Sequence, residues 1–206
     1  MIQSEKSCSS TACYREQLAR EWASSGIKHG DVVILHSSLS RTLKHYAGAA
    51  SKITPKDILE SFLQAVGPNG TIVFPTFNFD FTFGAPFDRG STPSHMGILG
   101  EMARQDVRSY RTAHPVYSFA VIGADQEKFR EKKNISAWGE DSPFATLHEL
   151  DGKIAILDVP DCHSMTYLHY IEETCRVPFR YHKFFRGEYI ESDCQSEKRE
   201  YSIFVR

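Results

Sequence analysis

The sequence predicts an α/β fold, layered, with a largely parallel central sheet flanked by helices. Two observations lead there. Four apolar runs of strand length lack polar alternation, "DVVILHSS" (31–38), "TIVFPT" (71–76), "VYSFAVIGA" (116–124) and "GKIAILDV" (152–159), as strands covered on both faces do. Stretches with helical apolar spacing lie between them, the alternation expected of a layered α/β architecture. A length of 206 residues suits one domain with a real core.

The elements can be justified in order. Tyr14 to Ser24 reads as a helix through Leu18, Trp22 and Ala23, closed by Gly26 and Gly30 before the first strand. In "ITPKDILESFLQAVGPNG" Thr54 is an N-cap, Pro55 takes the first helical position and Asp57 completes a capping box. Ile58, Leu59, Phe62, Leu63 and Val66 form its buried stripe, and Gly67–Pro68 ends it. The second strand leads into an aromatic, glycine-rich, aperiodic stretch from Phe77 to Pro93. Irregular segments of that length are disproportionately functional. A helix from about Met96 to Gln105 follows, capped by Ser94, then the third and fourth strands and a helix around His169. The basic-aromatic "RVPFRYHKFFRGEY" gives way to a polar stretch and a strand-like "EYSIFVR". No repeat, low-complexity tract or domain boundary interrupts the chain.

Composition narrows the function. Apolar residues make up 41% and charged residues 24%, with a formal charge of -2 and no dense basic stretch, which argues against a nucleic-acid partner. The N-terminal segment lacks the apolar centre of a signal peptide. No window approaches the ~20 apolar residues of a membrane span, so no membrane insertion is expected. Five cysteines (Cys8, Cys13, Cys162, Cys175, Cys194) are odd in number and lack zinc-type spacing. They suit reduced thiols in a cytoplasmic protein, with Cys162 and Cys175 read as buried small hydrophobes. No metal site is expected: His163 and His169 are six apart, on different sides of a helix.

In a parallel α/β sheet ligands gather beyond the carboxyl ends of the strands. His36 to Ser40, Pro75 to Asp80, Ala113 to Ser118 and Asp158 to Thr166 fall there on this reading. Ser37 and Ser38 can donate to a phosphate or carbonyl, or simply cap a turn. His114–Pro115 can line a pocket, with an ordinary turn the preferred reading. On the last helix, Thr166, His169, Glu172 and Glu173 share one stripe, with Met165, Leu168 and Ile171 facing inward. A carboxylate on one imidazole nitrogen fixes the tautomer and leaves the other free to accept a proton, the hardware of a general base. The competing reading is a surface ion pair between His169 and Glu173. GxSxG, P-loop and GxGxxG patterns are absent, and no activated serine or cysteine supports hydrolysis.

Six collinear stretches carry a resemblance: "GDVVILHSSLS", "AVGPNGTIVFPTFN", "FDRGSTPSHMGILGEMAR", "RTAHPVYSFAVIGA", "GEDSPFATLHELDGKIAIL" and "MTYLHYIEETCRVPFR". Together they resemble the aminoglycoside 3-N-acetyltransferase, or antibiotic N-acetyltransferase, family. The resemblance implies an enzyme that takes acetyl-CoA as co-substrate and transfers acetyl directly to an amine on a sugar. It assigns His169 as general base, Glu172 or Asp193 as its orienting carboxylate, and Thr166 as support for the acetyl carbonyl or the histidine. His36, Ser37, Ser38, His114 and Ser118 would contact the pantetheine and phosphates, and the loop carrying Asn78, Asp80 and Asp88 would meet the acceptor. That loop is aromatic and the charge only -2, which suits an amino sugar destined for a polysaccharide as an alternative to an antibiotic. The chain also stops earlier than such proteins usually do, which keeps a catalytically silent CoA- or sugar-binding remnant as the rival expectation. A homo-oligomeric state is left open.

Overall fold

The computed structural model describes residues 11–47, 53–191 and 195–206. In chain order its elements are α1 (Thr11–Ser24), β1 (Val32–Ser37), α2 (Ser40–Tyr46), α3 (Pro55–Val66), β2 (Thr71–Pro75) and β3 (Phe87–Asp88). There follow α4 (Gly97–Gln105), β4 (Tyr110–Arg111), β5 (Phe119–Gly123), α5 (Gln126–Arg130) and α6 (Pro143–Glu149). The chain then forms β6 (Lys153–Leu157), α7 (Tyr167–Thr174), β7 (Tyr181–Ile190) and β8 (Ser196–Val205).

Local chemistry explains the clearest of them. At α3 the Thr54 hydroxyl accepts from the Asp57 N–H at 3.3 Å, and the Asp57 carboxylate accepts from the Thr54 N–H at 3.0 Å. This is the capping box read from sequence, with Pro55 at the first helical position. Of the expected stripe, Ile58, Leu59, Phe62 and Val66 are buried, and Leu63 is half-buried. On α1, Leu18 and Ala19 are buried, Trp22 is half-buried and Ala23 is exposed. The start of α4 departs from expectation. Its cap residue is Met96, without a side-chain cap. The Ser94 hydroxyl instead accepts from the Met96 N–H at 3.0 Å, and Glu101 accepts from the Ser94 N–H at 2.8 Å.

The central sheet runs β4-β5-β2-β1-β6. It is mixed, which corrects the largely parallel expectation. β1 lies parallel to β2 and β6, whereas β5 runs antiparallel to both β2 and β4. The reason lies in the turn before β5. Thr76 N–H donates to Ser118 and Asn78 N–H to Val116, at 2.9 and 3.1 Å, so the turn sits at the carboxyl end of β2. A strand that starts there can only run back. A smaller sheet, β3-β7-β8, is dominated by the β7–β8 hairpin, whose strands have ten residues each. From Tyr181 onward, the basic-aromatic stretch that sequence left unassigned forms β7.

Alternate residues of the central strands feed two cores. Val33, Leu35, Ile72, Phe74, Ala120 and Ile122 pack with α1, α3 and α4. Val32, Ile34, Val73, Phe119 and Val121 pack with α6, Trp138 and the small sheet. Gly100 lets α4 approach β2, because a Cβ there would lie 2.5 Å from the Pro75 carbonyl oxygen. Two cysteine expectations change. Cys162 and Cys175 are free but exposed, on a turn and a helix end rather than in a core. Cys13 is disulfide-bonded, against the expectation of reduced thiols throughout.

One buried cation ties the aromatic loop to this frame. The Arg111 side chain donates to the carbonyls of Thr92 (2.5 Å), Arg89 (3.3 Å) and Thr76 (3.2 Å), and to the Ser118 hydroxyl (3.1 Å). It also lies over the Phe87 ring at 4.7 Å. Burial lowers its pKa to about 10, still cationic at neutral pH. Arg111→Met leaves several carbonyls without donors, offset in part by removal of a buried charge. We expect a loss of about 2 to 4 kcal/mol in equilibrium urea denaturation. A loss below about 1 kcal/mol would show the latch to be dispensable.

Candidate active site

The α7 helix presents His169 beside Glu172 and against Arg180. The imidazole Nδ1 lies 3.0 Å from the Glu172 carboxylate and 3.3 Å from Arg180 Nη2, and that same Nη2 donates to Glu172 at 2.8 Å. Arg180 Nη1 donates to the Phe204 carbonyl on β8 at 2.9 Å. The geometry selects a tautomer. A bare Nδ1 lone pair facing a carboxylate would be repulsive, so Nδ1 carries the proton and donates to Glu172. Among the described residues, no hydrogen bond reaches Nε2. With one third of its side chain exposed (33%), His169 keeps a proton-accepting nitrogen unengaged. The hydrogen bond from His169 holds the Glu172 carboxyl below its usual range; burial opposes it, and the charge of Arg180 adds to the lowering. Arg206 adds a more distant cation, 3.9 Å from Glu172.

The expected partner on the competing reading was Glu173. It turns elsewhere, accepting from the Ser136 hydroxyl at 2.8 Å and lying 4.0 Å from His182. Burial raises its pKa, offset in part by the Ser136 hydrogen bond. The inward face of α7 is also different. Leu168 and Ile171 are exposed, and Tyr170 is the buried residue, because aromatic contacts with His148 and Tyr167 take the packing role.

Rings connect His169 to the aromatic loop. Trp138 lies 4.7 Å from His169 between centroids, Tyr117 4.8 Å from Trp138, Phe79 5.9 Å from Tyr117, and His95 6.3 Å from Phe79. Asn78 donates to the Pro93 carbonyl at 3.0 Å and sits 3.1 Å from His95, while Asp80 lies 3.6 Å from His95. Asn78, Asp80 and His169 therefore terminate one aromatic row. Sequence reasoning missed Trp138, Tyr117 and Arg180. Arg180 ended a quoted motif, but nothing local signals its contact with Glu172. A groove of about 810 Å³ adjoins the row and shares Trp138 and Arg180 with it, its walls bearing Glu140, Asp141, Glu173 and His182.

The other expected site residues separate into two groups. His36 and Thr166 meet at 3.4 Å, His36 held neutral near a pKa of about 4 by burial. Ser37 is half-buried, and the Ser38 hydroxyl lies 3.2 Å from that of Ser40, the one hydrogen bond its side chain makes among the described residues. By contrast His114 is fully buried. Its Nδ1 accepts from the N–H groups of Val116 and Tyr117 at 3.2 and 3.1 Å, and Nε2 faces the Ser202 carbonyl at 3.4 Å. Burial lowers its pKa to about 3, the position of a turn anchor. Ser118 is likewise buried, donating to the Thr76 carbonyl at 3.0 Å. Asp88 closes its own turn by accepting from Gly90 and Ser91 at 2.7 and 3.1 Å. Asp193 lies outside the described residues. Asp158, unassigned before, accepts from the backbone N–H groups of Arg41 and Thr42 at 3.0 and 2.7 Å. No cluster of metal-ligating side chains occurs among the described residues, and none of their helices is long and apolar enough to cross a membrane.

The family model described as aminoglycoside 3-N-acetyltransferase matches residues 34–205. The chain belongs to this family. Aminoglycoside N(3)-acetyltransferase IV of Salmonella is 29% identical over 158 residues, 75% of this chain and 56% of that protein. The chain thus spans little more than half the length of that relative. Among solved structures, AAC-IIIb in a binary complex with CoASH has a TM-score of 0.80 at 24% identity, covering 92% of this chain and 75% of that one. Sisomicin-bound AAC-VIa has a TM-score of 0.77 at 24% identity, with the same shares covered. These likenesses show a common fold. Antibiotic N-acetyltransferase architecture is thus the α/β class read from the strand and helix pattern.

The Glu172 contact has a pH signature. Its folded pKa lies below the unfolded value, so its stabilisation is present above the usual carboxylate range and is lost as pH falls through the depressed pKa. Glu172→Gln should therefore lower denaturation stability at neutral pH, with the difference from wild type closing on acidification. A difference independent of pH would mean that the ionised carboxylate contributes nothing.

Proposed function

We propose that the protein is an acetyl-CoA-dependent N-acetyltransferase acting directly on an amino group of an amino sugar, with His169 as general base. The observation that carries this is the imidazole whose Nδ1–H is tied to Glu172 while Nε2 has no partner among the described residues. Family membership supports the reaction class. The CoASH complex of one fold neighbour and the sisomicin complex of another support the two substrates.

The acetyl donor supplies an activated carbonyl as a thioester. His36, Ser37 and Ser38, with Thr166, are the groups with which this chain would meet it. The acceptor nitrogen attacks the thioester carbon and a C–N bond forms. The nitrogen's proton passes to His169 Nε2, the C–S bond breaks, and the proton leaves with the thiol. Glu172 and Arg180 act through His169, keeping its ring turned toward the acceptor. Phe79 and the half-buried Tyr117 offer apolar faces to a sugar ring, with Trp138 buried behind them. In the adjoining groove Glu140, Asp141 and Glu173 face Arg176 and Arg180, so charge attraction for further amines on the acceptor is small there.

Thiol release from acetyl-CoA, measured with aminoglycosides and nucleotide-linked amino sugars, tests the reading. Turnover with aminoglycosides alone would place the protein in antibiotic inactivation. Turnover with nucleotide-linked sugars alone would place it in polysaccharide assembly. His169→Ala should reduce turnover by about 10²- to 10⁴-fold with CoA affinity nearly unchanged. Full turnover in that variant would return His169 to a structural ion pair. CoA binding without thiol release for any acceptor would favour the silent remnant.

A further inference from the structure

A cavity of about 330 Å³ lies beside β4, the edge strand at the far end of the central sheet from β6. The turn after β3, α5 with its following loop, and β8 wall it. Five cations line it, Arg89, Arg130, Lys132, Lys133 and Arg199, against two carboxylates, Glu191 and Glu200. Carboxylates in and around the cavity offset part of this excess, Glu197 pairing with Arg199 among them. Glu191 is already engaged by Arg89 at 3.2 Å and by Arg199 at 2.8 Å. Glu127 and Glu149, which reach Arg130 at 2.9 Å and Lys132 at 3.9 Å, are exposed and outside the cavity lining. Lys133 has no ion pair among the described residues.

The guanidinium groups are held in place by aromatic faces. Arg130 and Arg89 lie over the Tyr110 ring at 4.1 and 5.2 Å, and Arg199 over Tyr189 at 4.1 Å. Buried Tyr110, Ala113 and Tyr201, with exposed Ile135, complete the lining, so the charges surround a partly apolar recess. Fixed guanidinium forks with mobile ammonium groups beside them match a phosphate group with more than one negative charge. A cationic amino sugar is repelled from the same walls.

We propose that this cavity binds a phosphorylated small molecule through its phosphate group, at a site separate from His169. The two sites are joined only at a remove. Tyr201 in the cavity wall contacts His114 at 5.2 Å between centroids, His114 contacts Tyr117 at 6.3 Å, and Tyr117 leads through Trp138 to His169. The inference does not rest on the acetyltransferase reading.

Calorimetric titration of the full chain with inorganic pyrophosphate tests it, with uridine diphosphate and glucose 6-phosphate separating nucleotide from sugar-phosphate ligands. Saturable binding is expected, weakened at least about tenfold in the Lys132→Ala/Lys133→Ala double variant and in Arg130→Glu, and weakened by added salt. These side chains are exposed or half-buried surface cations, so the variants should fold, and unchanged melting temperatures confirm it. His169→Ala should bind pyrophosphate as wild type does. Absence of saturable binding, or equal binding by the charge variants, overturns the proposal. Competition between pyrophosphate and acetyl-CoA, with both lost in the same variants, also overturns it, because the cavity would then seat the nucleotide of CoA.

Discussion

The Arg180 guanidinium is the interaction on which the site's geometry depends. Its side chain is only 8% exposed, yet it bridges two elements, donating to the Glu172 carboxylate on α7 and to the Phe204 carbonyl on β8, with the His169 imidazole 3.3 Å away. Hydrogen bonds that involve an ionised group contribute about 1.5 to 3 kcal/mol each, so this fork sets the seat of α7 against the small sheet. The hairpin is therefore more than a cover for one core. Its last strand fixes the arginine that fixes the carboxylate that orients the histidine. Gly187 lets the same hairpin meet the aromatic loop, since a Cβ there would approach the Phe81 ring to 2.7 Å.

Three histidines show how burial assigns different roles to one residue type. His114 is sealed in the turn before β5, held neutral, with both ring nitrogens facing backbone groups. His36 is buried and neutral beside Thr166, at the end of β1. His169 alone of the three combines partial exposure, an ionised carboxylate at Nδ1 and an unengaged Nε2. The proposed proton transfer from an incoming amine would draw on all three. His114 instead anchors the turn before β5, and His36 stays beside Thr166.

Much of this was legible in the sequence where the governing interaction is local. The α3 capping box needs only Thr54 and Asp57, three residues apart, and the central strands announce themselves as uninterrupted apolar runs. Glu172 beside His169 is likewise one helical turn away. Strand direction was not legible, because β5 runs back from a turn that His114 and long-range contacts hold at the end of β2. The faces of α7 were misjudged for a related reason. Aliphatic spacing pointed to Leu168 and Ile171, but Tyr167 and Tyr170 do the packing, with His148 from α6 as their partner. Arg180, Trp138 and Tyr117 reach the site through tertiary contacts that no spacing rule encodes.

The orientation of His169 can be observed without any assumption about substrate. Proton-detected nitrogen-15 spectra of the imidazole rings, with the His169→Gln variant assigning its resonances among the nine histidines, report which ring nitrogen carries the proton. The structure predicts that neutral His169 is protonated at Nδ1, with Nε2 bare, and that Glu172→Gln weakens this preference. Neutral His169 protonated at Nε2 in the wild-type chain would contradict the account, because no nitrogen would then be free to take the acceptor's proton.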